Sequence, residues 1–247
     1  MRFTVIGSGD AFGSGGRFNT CFMIEAAGST VLLDCGASSP VALKARGVDL
    51  NAIDGVILSH LHGDHFGALP FLMLDWQFHA RRERPLTVAG PPGTRERLDA
   101  ALEVFFPRAS RNAWRFPLNV AEIAVGVPDR VLGFAVTTRE VVHQSGTPST
   151  AVRLERGGTI LGYSGDTEWT DALIPVAEGA DLFVVECYDY SHNVPGHMNY
   201  ATLKQKRALL RAKRVMVTHM NPSMLAHRDE ARADGLMVAE DGLVIEL

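Results

Sequence analysis

Gly55-Val56-Ile57-Leu58 runs directly into Ser59-His60-Leu61-His62-Gly63-Asp64-His65. The apolar lead predicts a buried strand over 55–59 that delivers His60 at its end. In an extended or tightly turned backbone His60 and His62 share one side, and Asp64 and His65 curl onto a second position. Neutral imidazole and carboxylate are ligands of borderline divalent ions such as zinc. Four such side chains at the end of a core strand would be costly to crowd together with nothing to satisfy them. The stretch therefore reads as a metal motif.

Working outward, the histidine count stands out: nine His against three Cys. Cys21, Cys35 and Cys187 are odd in number and widely spaced, which implies no disulfide framework and reduced thiols. No apolar run approaches the ~20 residues of a membrane span, and Met1–Gly7 reads as a strand entering a turn rather than a cleaved leader. The expectation is a cytoplasmic protein with no membrane partner. The formal charge of −4 argues against bulk nucleic-acid affinity but leaves a local basic site, and with it a nucleic-acid partner, open. It is unevenly spread: eight Arg and four acids lie between Arg81 and Arg115. That segment is either a solvated helix face with a basic loop or a rim that attracts an anionic substrate.

Period-2 apolar runs predict strands near 2–6, 21–26, 30–34, 86–89, 118–124, 131–142, 149–155, 159–163, 181–186, 214–218 and 243–246. Helical periodicity falls at 39–46, 69–82, 94–104, 170–177 and 199–211. Strand clusters mixed with crossover helices give an α/β fold class, and with no linker or repeat the expected organisation is one domain over 1–247.

His-x-His-x-Asp-His after an apolar strand resembles the metallo-β-lactamase superfamily, and the resemblance covers nearly the whole chain. It implies a four-layer αββα sandwich, two mixed sheets flanked by helices. Val31-Leu32-Leu33-Asp34-Cys35-Gly36 looks like the superfamily's strand ending in Asp-x-Gly, so Asp34 would orient a ligand histidine. Three further strand ends match in order: Val141-Val142-His143, Ser164-Gly165-Asp166-Thr167 and Met216-Val217-Thr218-His219. The resemblance then implies two Zn²⁺, with Mn²⁺ or Fe²⁺ as substitutes. His60, His62 and His143 would hold one ion, Asp64, His65 and His219 the other, and Asp166 would bridge them. The expected nucleophile is a metal-bridging hydroxide, and no Gly-x-Ser-x-Gly elbow competes with it.

Within the superfamily the chain is similar to the ribonuclease Z-like branch. Its Gly7-Ser8-Gly9-Asp10-Ala11 turn resembles that branch's opening loop, where glycines would admit a ligand phosphate. Val142-His143-Gln144-Ser145-Gly146-Thr147 resembles the branch's ligand strand. Val184-Val185-Glu186-Cys187 and Pro195-Gly196-His197-Met198-Asn199-Tyr200 resemble its Glu strand and Gly-His helix start. By that resemblance His197 would be the general acid, Glu186 would orient it, and Asp64 would join them as a catalytic residue.

The departures narrow the reading. Met198-Asn199 replace small hydroxyl residues, and Met220-Asn221-Pro222-Ser223 replace a Ser-x-Arg-Tyr pattern. Only 23 positions separate His143 from Asp166, where tRNA-processing members generally insert a long arm. A metal-dependent hydrolase acting on a small or medium anionic phosphodiester, some of them cyclic, is the expectation. Hydrolysis of a carboxylic ester, lactone or thioester is the alternative, and tRNA 3′-processing ranks below both. Trp76, Phe78, Tyr188, Tyr190, Phe105, Phe106 and Trp114 are candidates for ring stacking. The loop 105–116 reads as a substrate rim or the interface of a homodimer.

Overall fold

The computed structural model describes residues 1–247. Two seven-stranded sheets stack face to face. The first is built from β1 (Arg2–Gly7), β2 (Cys21–Ala26), β3 (Ser29–Leu33), β4 (Gly55–Ile57), β5 (Leu86–Gly90), β6 (Leu118–Glu122) and β14 (Val244–Glu246), in the order β14-β1-β2-β3-β4-β5-β6. The second is built from β7 (Asp129–Val131), β8 (Phe134–Glu140), β9 (Thr150–Arg156), β10 (Thr159–Tyr163), β11 (Leu182–Glu186), β12 (Val215–Thr218) and β13 (Met237–Val238), in the order β13 to β7. Each sheet is antiparallel in its hairpin half and parallel in the half fed by crossovers, β3 to β6 and β10 to β13.

Alternation along the strands explains the layering. Val31 and Leu33 face the space between the sheets with Phe3, Phe22, Leu161, Val184 and Met216. Leu32, one residue out of phase, faces the opposite way and joins Leu43, Leu69, Trp76, Leu98 and Leu102. Those come from α1 (Ser39–Ala45), α3 (Leu69–Leu74), the π turn that continues it and α4 (Thr94–Phe105). On the second sheet Val185 and Val217 pack outward on α5 (Leu173–Ala177), α6 (Tyr200–Lys206) and α7 (Pro222–Ala226). A strand buried on both faces reads as a continuous apolar run, as Leu182–Val185 does. Three cores between four layers make the αββα sandwich that the motif implied.

Several elements differ from the sequence expectation. The long strand over 131–142 is two strands, β7 and β8, joined at Leu132 and Gly133 with φ +50° and +84°. Two consecutive positive φ values make a tight hairpin turn, and Leu at the first gave no turn signal. The helix over 69–82 changes to a π turn at Asp75–His79 and stops at Ala80. The helix over 170–177 begins only at Leu173, and α6 ends in a 3₁₀ turn at Arg207–Leu209. The short helices α2 (Gly63–Phe66) and α8 (Arg228–Ala233), with α7 and β13, are too brief for periodicity to mark. No helix is long and apolar enough to cross a membrane.

Six of the chemistry-bearing residues lie at or just past C-terminal strand ends. Asp34 follows β3, His60 follows β4, His143 follows β8, Asp166 follows β10, Glu186 ends β11 and His219 follows β12. Open α/β sheets place ligands at that edge.

Candidate metal centre and active site

The structure brings all seven expected ligand residues together. His60, His62 and His143 form one group and Asp64, His65, Asp166 and His219 another, each with its ligand-type atoms within 4.8 Å of one another. Asp166 stands between them, its Oδ2 3.9 Å from His60 Nε2, 4.0 Å from His143 Nε2 and 3.3 Å from His219 Nε2. Its Oδ1 lies 3.2 Å from His65 Nε2. His60, His65, Asp166 and His219 are buried.

Buried polar atoms are normally hydrogen-bonded. Here His60 Nε2, His65 Nε2 and Asp166 Oδ1 are buried with no hydrogen-bond partner. These orphans point to one shared space, and the donor set is three imidazoles on one side and an imidazole-carboxylate mixture on the other. That set fits a pair of borderline divalent ions.

On four of the five histidines the ring nitrogen opposite the cluster is engaged, whereas His62 Nδ1 lies 2.9 Å from His143 Nε2. His65 Nδ1 lies 2.7 Å from Asp34 Oδ2, and Asp34 also accepts from Ser59 N and Ser59 Oγ at 2.7 Å each. Ser59 Oγ reaches His60 Nδ1 at 3.0 Å. Thr20 Oγ1 holds His219 Nδ1 at 3.2 Å, and the Gly196 carbonyl accepts from His143 Nδ1 at 2.8 Å. Each contact fixes a ring's tautomer and aim. Asp34 does this from a left-handed backbone, φ +57°, a region Asp tolerates better than most residues. Sequence reasoning found Asp34 and missed Ser59, Thr20 and the Gly196 carbonyl.

The charges follow from this packing. Burial pushes His60, His143 and His219 down. Burial also opposes a charge on His65, yet Asp166, Asp64 and Asp34 outweigh it and hold its pKa well up. Burial works against ionised Asp64 and Asp166, while the neighbouring imidazoles keep both below the usual carboxylate range. Burial and the charge of Asp166 push Glu186 up, while its hydrogen bond and charge interaction with His197 pull it back toward the ionised form. His197 resists burial through its hydrogen bond to Glu186 and is raised to about 9.

His197 sits against the cluster. Its ring is 4.9 Å from that of His143, 5.8 Å from His219 in a parallel stack, and 4.8 Å from Tyr188. Glu186 in turn accepts from the Thr167 backbone N–H. Two clefts open beside these groups. One of about 310 Å³ is lined by His197, Trp169, Asn193 and Met198. The other, of about 380 Å³, is lined by His62, His143 and Gln144.

Of the aromatic candidates only Tyr188 joins the site. Trp76 is core, with its indole N–H donated to Leu50 O. Tyr190 stacks on His227, Phe105 and Phe106 pack on Phe71, and Trp114 packs on Phe116. Phe78 is exposed. None of the eight arginines between 81 and 115 lines either cleft. Arg82 is buried against Trp76 and donates to backbone carbonyls, so part of that basic segment is structural. The glycines of the opening loop are also used internally. A Cβ at Gly7 would lie 2.0 Å from Asn19 O, and one at Gly9 would lie 2.9 Å from Phe18 O.

The architecture and this floor of histidines and aspartates define a class, the ribonuclease Z-like proteins of the metallo-β-lactamase superfamily, which are metal-dependent hydrolases. A family model described as anti-Pycsar protein Apyc1 matches residues 1–242, and the chain belongs to that family. Ribonuclease Z of Mycobacterium marinum is 30% identical over 269 residues, covering 100% of this chain and 95% of that protein. Ribonuclease Z of Lachnoclostridium phytofermentans is 27% identical over 261 residues, covering 85% and 84%. Among solved structures, the metallo-β-lactamase fold protein YhfI of Bacillus subtilis superposes with a TM-score of 0.80 at 23% identity, covering 99% of each chain. The short form of human tRNase Z gives 0.78 at 24%, covering 100% of this chain and 99% of that one.

Proposed function

We propose that the chain is a binuclear zinc phosphodiesterase acting on a small anionic phosphodiester of the cyclic or short linear kind. His60, His62 and His143 would hold one ion, Asp64, His65 and His219 the second, and Asp166 both. When bound, the ions supply a water acidified toward neutrality and a positive floor for the substrate's charge.

The observation that carries the phosphodiester reading is the Glu186–His197 pair beside the cluster. Expelling an alkoxide from a phosphodiester needs a proton at the leaving oxygen. An imidazole raised toward 9 by a buried carboxylate is protonated at neutral pH and can supply it. Thioesters expel a thiolate, a far better leaving group, and need this less. Asp64 remains ionised throughout that range, so it can pair with a cation and contribute no proton.

Substrate size is argued from the interval between His143 and Asp166. It is filled by the loop to Ser149 and one hairpin, β9 and β10, turning at Gly157 and Gly158. No arm protrudes there to grip a large RNA. The test is a turnover screen of the zinc-loaded protein against bis-p-nitrophenyl phosphate, 3′,5′-cyclic nucleotides, lactones, thioesters and a pre-tRNA. Diesterase turnover that collapses in His62→Ala is expected. Lactone or thioester cleavage with no diesterase activity overturns the reading, and efficient 3′-processing of the pre-tRNA overturns the size argument.

A further inference from the structure

The loop that carries His197 is held on one side by a residue the catalytic scheme does not use. Gly196 has φ +79°, and a Cβ there would lie 2.9 Å from His143 Nδ1. Only glycine lets this backbone lie flush on the His143 ring so that its carbonyl accepts the Nδ1–H at 2.8 Å. Glycine also restricts the two backbone rotations that aim the carbonyl less than any other residue would. Pro195 and Glu168 line both clefts, so the loop between them is open on two faces. What restrains it is the Glu168 carboxylate, which accepts from the Gly196 N–H at 2.8 Å. The backbone of Glu168 is itself tied to the His143 strand, donating to Val142 O at 3.1 Å. The preceding Thr167 accepts from Val142 N through its hydroxyl at 3.0 Å.

We propose that Glu168 is a positioning residue for the metal centre. Its carboxylate locks Gly196, the Gly196 carbonyl locks the tautomer and aim of His143, and the same backbone sets His197 against Glu186. The inference rests on the reading of His143 as a metal ligand. Glu168 belongs to neither ligand group and acts on the metal centre through Gly196. The exposed acid next to the Gly-Asp-Thr turn thereby does what a bulky residue at 196 would do elsewhere, restraining the chain without occupying the space against His143.

The test compares zinc affinity in the wild type, Glu168→Ala, Glu168→Met and Glu168→Gln by competition with a chromogenic chelator, each protein checked for fold by circular dichroism. Ala and Met should weaken one of the two zinc steps by about tenfold, the low end of the effect of losing a group that orients a ligand histidine. Gln, which keeps an oxygen acceptor, should restore it to within about threefold on the same scale. Met keeps the stem of Glu and supplies the comparison if Ala does not fold. Ala and Met binding both ions as the wild type does overturns the proposal, as does a loss in Gln equal to that in Ala. His143→Ala separates the two failures. If it loses a zinc step while the Glu168 variants do not, Glu168 alone is misassigned. If it keeps both steps, the ligand reading falls and the positioning role with it.

Discussion

Glu186 Oε2 lies 3.1 Å from His197 Nδ1, with the carboxylate fully buried and the imidazole one-fifth exposed. A buried anion whose best partner is an imidazole holds a proton on that ring, and the ring's exposed part faces the cleft. If His197 is the acid proposed above, the pair sets the alkaline limit of activity. As pH rises through the pKa of His197 the acid form is lost and kcat/KM falls. In Glu186→Gln the negative charge is gone, so that limb should move to lower pH by about 1–3 pH units, the usual effect of an adjacent opposite charge. His197→Ala should lower kcat for alkyl diesters by about 10²–10⁴ and for p-nitrophenyl diesters by much less. Rate profiles over pH 6–10 check both, and an unmoved limb in Glu186→Gln would remove His197 from the acid's role.

Zinc loading should release protons. His65 is held protonated in the metal-free chain by Asp166, Asp64 and Asp34, although burial opposes it. Its Nδ1 is engaged by Asp34, so the proton that must leave for a metal is the one at Nε2. Titration calorimetry at pH 7 in buffers of different ionisation enthalpy should show at least about one proton released per protein on filling the site, since ligands bind deprotonated. Heats independent of buffer would mean that His65 is neutral before binding.

How much of this was legible in the chain depends on the range of the interaction. His60, His62, Asp64 and His65 announce themselves within one turn of sequence, and His143, Asp166 and His219 sit at strand ends that period-2 patterning marks. The groups that aim them do not. Thr20 meets His219 across 199 positions, and nothing about an isolated threonine shows it. The Gly196 carbonyl is a backbone group that every residue possesses. Glu168 reads as a surface acid until Gly196 is placed beside it. The fold follows the same division. Strands with strict alternation are where the pattern puts them, whereas the β7–β8 turn depends on a leucine in the left-handed region. Arg82 and five of the seven aromatic candidates show the converse, residue types suited to a ligand that the fold spends elsewhere.

The glycine of Asp34-Cys35-Gly36 is required by contact. A Cβ at Gly36 would lie 2.0 Å from Asp64 O and 2.4 Å from the Cβ of Asn19. Gly36→Ala should force the Asp64 backbone away and destabilise the protein by at least about 1–3 kcal/mol, as overpacking does. It should also weaken zinc binding on the Asp64 side. Gly63 sits inside the histidine motif but has nothing within 4 Å of a built Cβ. Gly63→Ala should stay within about 0.5 kcal/mol of the wild type, as substitutions free of such contacts do. Chemical unfolding of the two variants checks the contrast, and equal losses would show that the motif tolerates neither change.

Asp189 anchors the segment that leads from Glu186 to His197. It accepts from Ser191 N at 2.9 Å, His192 N at 2.8 Å and Asn221 Nδ2 at 2.8 Å. Burial disfavours its charge, but these donors outweigh it and lower the pKa to about 2. The folded value lies below the unfolded one near 3.9, so the stabilisation is fully present above about pH 4 and is lost as pH falls toward 2. It amounts to at most about 2 kcal/mol, because each tenfold change in proton affinity is worth about 1.4 kcal/mol and solvent screening reduces the sum. Asp189→Asn keeps an acceptor but no charge. It should be less stable than the wild type at pH 7, and the gap should close as pH falls from about 4 toward 3. Metal loss in acid affects both proteins alike and cancels in the difference. Urea unfolding of the pair between pH 3 and 7 gives the answer: a gap that stays constant across the range would mean that Asp189 holds the segment by shape rather than by charge.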